Sequence, residues 1–484
     1  MSERKILAPG LMIDGFTLGE RIFAGGMGSV WRATHPDHTL PIIVKIPFFA
    51  PGENVSAIIA FEIEEMIMKR LSGPHVPKFL GSGELADLPY IAMEFVEGDL
   101  LSTLTDAAPI PAAEVVRVGQ LLARALIDIH RQQVVHLDLK PGNVILSKRG
   151  AVLIDFGLAH HDKLPDLMGE ETALPVGSAP YMSPEQILGD RTHLESDIYA
   201  VGAMLYELAT AKPPFGIPNT RSGLKQRLKT PPAMLAPALS GVPPGLAEVI
   251  LKSLSVDPAD RYPTADHLLF DLNHLDQVAL TDRSQRNSGG FLARIGALLS
   301  RPSEARRATP RPTSFEQRFA SAPVIMAAVD LSHGADPLAE LVRVHVRRVL
   351  AAEPRARLAC VTVLKTKIIG EDKPIDEAGR PAYIGRLVAL KDWARSLHLP
   401  EEKVSYHVLE GVDAAASLME YANHNPIDHI VMGARASSSL RRHLGSVSSR
   451  VVAEARSTVT VVRLGGVGET DEPPPGPESV PDES

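Results

Sequence analysis

Residues 134–159 read VVHLDLKPGNVILSKRGAVLIDFGLA, and the rest of the chain is organised around them. Two short apolar runs, residues 144–146 and 151–154, flank a polar segment that ends in glycine, which is the pattern of a β-hairpin. Because a hairpin holds its two ends side by side, we expect polar residues just outside both strands to converge. These residues are His136, Asp138, Lys140 and Asn143 before the first strand and Asp155 after the second.

The converging groups suit phosphoryl transfer. This reaction needs a carboxylate to accept the proton of an attacking hydroxyl, and oxygen ligands that hold Mg²⁺ against the phosphates of ATP. We expect Asp138 to be the base, Asn143 and Asp155 to bind the metal, and Lys140 to offset charge on the transferring group. The alternative is a surface hairpin with chance polar residues, which the order and spacing of the five groups disfavour.

The stretch resembles the catalytic loop and the Asp-Phe-Gly segment of eukaryotic-type protein kinases, and Lys140-Pro141 is similar to the serine/threonine branch. The resemblance covers residues 15–278 and implies a bilobal α+β kinase fold. One departure is Leu137, which stands where those kinases carry an arginine that pairs with a phosphate on the activation loop. The resemblance therefore does not extend to control by loop phosphorylation, for which Thr172 and Ser178 are the candidate hydroxyls.

A glycine-rich segment, residues 22–30, precedes the catalytic stretch and reads IFAGGMGSV. Glycines between two strands let backbone N–H groups approach phosphate closely. The segment resembles the kinase glycine-rich loop, with Phe23 in place of its first glycine. The resemblance implies nucleotide contacts from Ile22, Gly25, Gly26, Gly28 and Val30.

Lys45 ends the apolar run 42–45, which resembles the kinase strand whose lysine binds the α and β phosphates. Such a lysine needs a carboxylate partner to hold its position. Apolar residues at helical spacing predict a helix over 55–71. The resemblance makes Glu64 on this helix the partner, with Glu65 as the fallback.

The activation segment, residues 155–185, is expected to lack regular structure, as a mobile loop would. The resemblance pairs Glu185 with Arg261 in a buried ion pair, and assigns Asp197 to brace the catalytic loop. Apolar spacing predicts helices over 115–129 and 197–208.

Bulk composition describes an ordinary globular chain. Its 484 residues favour two or three domains, and 44% hydrophobic with 22% charged residues is typical. A net charge of −8 implies no general attraction to nucleic acid. Cys360 is the one cysteine, which suits a reducing cytoplasm. We see no signal peptide and no run near the roughly 20 apolar residues of a membrane span, and expect a cytoplasmic chain.

Two segments are predicted to be unfolded. Residues 279–321 are rich in Arg, Ser, Pro and Gly and predict a basic flexible linker. Within it, residues 291–299 have the pattern of a short amphipathic helix. Such a helix would contact a membrane surface or the kinase lobe; the alternative is that the segment is only weakly structured. Residues 465–484 carry six acidic groups and no basic one, and predict a disordered tail.

Between them, residues 322–464 alternate strand and helix patterns, which favours an α/β doubly wound parallel sheet. Strands are predicted at 324–329, 358–364, 404–409, 427–432 and 459–464, and helices at 337–350, 384–397, 414–422 and 446–455.

This part resembles the universal stress protein family. The resemblance places Asp330 at the adenosine, and Gly433, Gly445 and Ser446 in a glycine motif for ATP phosphates at a helix N-terminus. Ala436 replaces the second glycine, and the interval to Gly445 is one residue short. Both a nucleotide site and a sensing or dimerisation role stay open.

The sequence as a whole predicts a serine/threonine kinase in bacterial stress signalling. It uses ATP and Mg²⁺, acts on protein substrates, binds no nucleic acid, and carries a C-terminal sensor or homodimerisation domain. The alternative is a degenerate kinase that acts as an ATP-binding scaffold, which Phe23 and Leu137 motivate.

Overall fold

The computed structural model describes residues 7–25, 28–49, 55–172, 174–230, 236–239, 241–281, 322–332, 336–366, 381–434 and 445–464. The chain divides into two compact units, with the main division between Ser321 and Ala322.

The first unit begins with a small lobe, a six-stranded sheet with one helix. Its antiparallel strands lie in the order β1-β2-β3-β4-β6-β5. One face buries Leu18, Trp31 and Val44 because alternate residues of a strand point the same way. The elements are β1 Met12–Ile13, β2 Phe16–Gly25, β3 Gly28–His35, β4 His38–Pro47, α1 Val55–Met68, β5 Phe79–Gly83 and β6 Tyr90–Glu94.

The large lobe that follows is mainly helical. The helices predicted over 115–129 and 197–208 are confirmed and extend slightly further at both ends. The elements are β7 Asp99–Leu100, α2 Ser102–Asp106, α3 Ala112–Arg131, β8 Val134–Val135, β9 Val144–Ser147, β10 Gly150–Leu153, β11 His160–His161, α4 Leu167–Glu171, α5 Pro184–Ile187, α6 Glu195–Thr210, α7 Arg221–Leu224, α8 Pro244–Ser253 and α9 Ala265–Asn273, with 3₁₀ turns at Pro141–Asn143, Lys225–Leu228, Ala236–Leu239 and Pro258–Asp260.

The predicted catalytic hairpin is confirmed as β9 and β10, paired antiparallel with Ser147 opposite Gly150. Gly150 has φ +120°, a conformation that side chains disfavour, which explains the glycine at the end of the turn. The backbone N–H of Ile154 donates to the carbonyl of Asn143 at 3.0 Å, so the two ends of the hairpin are joined.

The activation segment is more ordered than the sequence predicts. It contains β11, which pairs with β8, and the short helix α4. The Asp166 side chain caps α4 by accepting from the backbone N–H of Gly169 at 3.2 Å, and Leu167 and Met168 are buried. The prediction of a wholly irregular segment is therefore wrong, because a capping Asp and two apolar side chains stabilise one helical turn.

The second unit is built on a five-stranded sheet with strand order β14-β13-β12-β15-β16. The pairs β12–β13, β12–β15 and β15–β16 are parallel, and the predicted alternation of strands and helices is confirmed. The elements are β12 Val324–Ala328, α10 Pro337–Ala352, β13 Arg357–Lys365, α11 Ala382–Arg395, a 3₁₀ turn Glu401–Lys403, β14 Val404–Gly411, α12 Ala414–His424, β15 His429–Gly433, α13 Ser446–Glu454 and β16 Thr458–Val462.

Several sequence predictions lie outside the described residues: the linker from 282 to 321 with its helix over 291–299, and the tail 465–484. The domain limits stay predictions. Within the described ranges, no helix has the length and apolar character needed to cross a bilayer.

Candidate active site

Asp138 lies at the centre of the predicted site. Its Oδ2 accepts from Lys140 Nζ at 2.9 Å and from Asn143 Nδ2 at 3.3 Å, and Asn143 Nδ2 also donates to the Asp138 carbonyl at 2.9 Å. Oδ1 accepts from the backbone N–H of Ser178 at 2.8 Å. The carboxylate is therefore fixed from three sides, by the catalytic loop and by the activation segment.

The loop that carries Asp138 is held by Asp197, as the sequence predicts. The carboxylate of Asp197 accepts from the backbone N–H groups of His136 at 2.9 Å and Leu137 at 3.0 Å. Leu137 has φ +62°, an unfavourable conformation for a branched side chain. The bonds from Asp197, and one from Gln186 Nε2 to the Leu137 carbonyl at 2.7 Å, hold this strained turn in place.

Lys45 contacts its expected partner Glu64 and, in addition, Asp155. Its Nζ lies 2.6 Å from Glu64 Oε2 and 3.1 Å from Asp155 Oδ1. Burial by itself lowers the pKa of Lys45, but the two carboxylates outweigh burial and raise the pKa, so the ammonium stays charged. The charge of Lys45 lowers the pKa of Asp155, which stays ionised. The prediction that Glu64, and not Glu65, contacts Lys45 is confirmed, because Glu65 accepts instead from Lys69 and Ser82.

Asn143 and Asp155 form a donor set that fits Mg²⁺. The amide nitrogen of Asn143 is committed to Asp138, which leaves its oxygen for a metal. Asp155 uses Oδ1 for Lys45 and has a half-exposed side chain, which leaves Oδ2 for a cation. Mg²⁺ commonly takes one or two protein oxygens and completes its octahedron with phosphate and water.

The glycine-rich segment forms the hairpin β2–β3, with Gly25 opposite Gly28. Gly28 has φ +146°, and a Cβ there would collide with the Ile46 carbonyl at 2.5 Å, so only glycine fits. Phe23 is 61% exposed, and its ring lies 2.9 Å from the position that a Cβ on Gly25 would take. Ile22 is exposed and Val30 is half-buried opposite Phe23. Gly26 lies outside the described residues.

The predicted ion pair of the large lobe is confirmed. The two terminal nitrogens of the Arg261 guanidinium, Nη1 and Nη2, each lie 2.7 Å from an oxygen of the Glu185 carboxylate, and both side chains are buried. Burial alone would raise the pKa of Glu185, but hydrogen bonds and charge from Arg261 outweigh it, and the pKa is lowered.

Two contacts of the activation segment escape sequence reasoning. Arg191 Nε lies 3.0 Å from both carboxylate oxygens of Asp166, and Arg191 Nη2 donates to the Leu158 carbonyl at 2.9 Å. The buried Arg227 donates to the carbonyls of Ala179 and Met182. These contacts cannot be predicted from the sequence, because every residue has a backbone carbonyl and the partners are 25 to 48 residues apart.

In the second unit, the predicted site residues lie at the carboxyl ends of two neighbouring strands and at the start of a helix. Strand order reverses beside β12, and ligands of open parallel sheets bind at such a switch point, outside the carboxyl ends of the strands. Asp330 follows β12, and Gly433 ends its parallel neighbour β15. Gly445 precedes Ser446, the first residue of α13. Asp330 accepts from the backbone N–H of Ser332 at 3.0 Å, and residues 435–444 of the motif lie outside the described ranges.

A bilobal fold with a lysine–glutamate pair in the small lobe and a braced aspartate in the large lobe is typical of protein kinases. The protein kinase domain model matches residues 16–271, more than half of the chain, and the chain belongs to this family. The universal stress protein family model matches residues 323–463, so the chain carries that domain after the kinase domain.

Similar proteins are bacterial kinases. The serine/threonine-protein kinase PknB of Mycobacterium leprae is 31% identical over 271 residues, which are 54% of this chain and 43% of the relative. The probable serine/threonine-protein kinase CPE1738 of Clostridium perfringens is 30% identical over 275 residues, 55% of this chain and 39% of the relative. The match thus spans less than half of each relative. The solved PknI kinase domain of Mycobacterium tuberculosis aligns over 56% of this chain and all of its own, with 24% identity and a TM-score of 0.44.

Proposed function

We propose that the chain is a serine/threonine protein kinase that transfers the γ-phosphate of ATP to hydroxyl groups of protein substrates. The observation that carries this proposal is the fixed carboxylate of Asp138, with Lys140 and Asn143 on one oxygen and the Ser178 N–H on the other. An acceptor hydroxyl beside this carboxylate gives up its proton as it attacks phosphorus.

ATP and Mg²⁺ belong to the proposal. Mg²⁺ supplies charge neutralisation for the β and γ phosphates, and Asn143 and Asp155 would hold it. Lys45, positioned by Glu64 at 2.6 Å, binds the α and β phosphates. Ile22, Gly25, Gly26, Gly28 and Val30 cover the nucleotide.

The C-terminal domain is proposed to regulate the kinase in bacterial stress signalling, as a sensor or as a homodimerisation module. Asp330, Gly433, Gly445 and Ser446 are its proposed nucleotide contacts, supported by the switch point between β12 and β15. The single cysteine supports a cytoplasmic location.

The test is transfer from γ-labelled ATP to a generic protein acceptor, with and without Mg²⁺, followed by phosphoamino-acid analysis. We expect Mg²⁺-dependent phosphoserine or phosphothreonine. ATP binding without any transfer would replace the proposal with the scaffold alternative and direct attention to Phe23 and Leu137.

A further inference from the structure

The large lobe contains a stretch of one charge sign. From Leu208 to Ala247 the sequence has no Asp or Glu, and it has five basic residues. The chain as a whole carries more acidic than basic groups, 58 against 50, so this local excess is unusual for it. The five are Lys212, Arg221, Lys225, Arg227 and Lys229.

Three of the cations form an exposed row that we call the basic rim: Arg221, Lys225 and Lys229. They recur every four residues, from the first residue of α7 to the residue that follows the 3₁₀ turn. Within the described ranges, none of the three forms an ion pair.

Arg227 ties this segment to the loop beside the catalytic base. It is 1% exposed. Its Nη2 donates to the Ala179 carbonyl at 2.7 Å and its Nη1 to the Met182 carbonyl, and its Cζ lies 5.2 Å from the centre of the Phe215 ring. Burial lowers its pKa. The two hydrogen bonds tie the segment that carries the rim to the activation segment.

The same loop touches Asp138. Ser178, next to Ala179, donates its backbone N–H to Asp138 Oδ1 at 2.8 Å. The path from the base to the basic rim therefore runs through one short loop and one arginine.

We propose that the basic rim is a substrate subsite that binds acidic side chains flanking the acceptor serine or threonine. The proposal rests on the kinase function proposed above and names its substrate class. Glutamate or aspartate on the peptide complements three unpaired cations, and complementary charge selects partners and speeds their association. A purely solvated rim is the competing explanation.

The test uses the full-length chain and two peptides with one threonine each, flanked by glutamates in one and by glutamines in the other. The subsite variant is Lys225→Glu/Lys229→Glu. The matched control is Lys148→Glu, an exposed lysine at the turn between β9 and β10. The native chain is expected to favour the acidic peptide in kcat/KM by about tenfold, from two to three exposed ion pairs.

The subsite variant is expected to lose this preference, mainly through a higher KM, and to keep its rate on the glutamine peptide. The control should behave like the native chain, and 0.5 M salt should weaken the preference. Equal kcat/KM for the two peptides in the native chain would overturn the subsite while leaving the kinase function intact.

Binding of fluorescent peptides with alanine in place of threonine gives a readout that needs no catalysis. Tighter binding of the acidic peptide, lost in Lys225→Glu/Lys229→Glu, supports the subsite even if no transfer is seen. Equally tight binding of a single-stranded oligonucleotide of the same charge would show a surface for polyanions in general and overturn the proposal.

Discussion

Replacing Arg261 with methionine tests the energetics of the large lobe. The substitution removes both 2.7 Å contacts to Glu185 and leaves that carboxylate buried, with 7% of its side chain exposed. Arg261 also donates to the carbonyls of Ser255 and Glu195, each at 2.8 Å. Breaking a buried pair from one side costs about 3–5 kcal/mol.

That cost converts to a thermal shift. A domain of 150–250 residues loses roughly 2–4 °C of Tm per kcal/mol, so Arg261→Met is expected to lower the transition of the kinase unit by roughly 6–20 °C. Calorimetry on the full-length chain measures it. The control is Arg117→Met, which breaks an exposed pair with Glu114 and should cost under about 1 kcal/mol.

The pH dependence of the thermal stability gives a second test of the same ion pair. Because the pKa of Glu185 is lowered in the folded chain, its stabilisation is present above the pKa of the unfolded chain and is lost as pH falls through the folded value. The gap in Tm between native and Arg261→Met should therefore narrow on acidification. Equal Tm values for the Arg261 and Arg117 variants at neutral pH would refute the reasoning.

Three further predictions concern single groups. Lys45→Met should lower the rate of phosphate transfer by at least about 100-fold. Glu64→Gln should lower it by about tenfold, because that change only weakens the positioning of the Lys45 side chain. Transfer rates measured at varied ATP concentration test both. Asp197→Asn should reduce kcat with little effect on ATP affinity, since it releases the N–H of His136 rather than a nucleotide contact; transfer rates and calorimetric ATP binding separate the two. Cys360, whose thiol pKa is raised by burial, should react with a thiol reagent only after denaturation; a fast native reaction would contradict its burial.

The hairpin at the centre of the active site can be predicted from the sequence because it depends on residues that are close together in the chain. The hairpin follows from two apolar runs and Gly150, and it alone brings Asn143 and Asp155 to neighbouring ends. The hairpin prediction needed no knowledge of the tertiary packing. The pairing of Lys45 with Glu64 joins a strand to a separate helix, and it followed from the resemblance to protein kinases rather than from periodicity.

The remaining features depend on distant partners. Arg227 and Arg191 have no pattern around them, because their acceptors are backbone carbonyls or residues of another segment. The short helix α4 was missed since a single capped turn is too brief for periodicity to register. The positive φ of Leu137 also has no local signal, as it is imposed by Asp197 and Gln186 from elsewhere in the chain.

The most direct test of the central claim is a single-turnover comparison of the native chain with Asp138→Asn, in Mg²⁺ and labelled ATP. Asparagine keeps the size of the side chain but cannot accept the hydroxyl proton. We predict a loss of at least about 100-fold in transfer, with ATP affinity and Tm close to native. Transfer by Asp138→Asn at a rate near that of the native chain would show that Asp138 is not the base and would contradict the account.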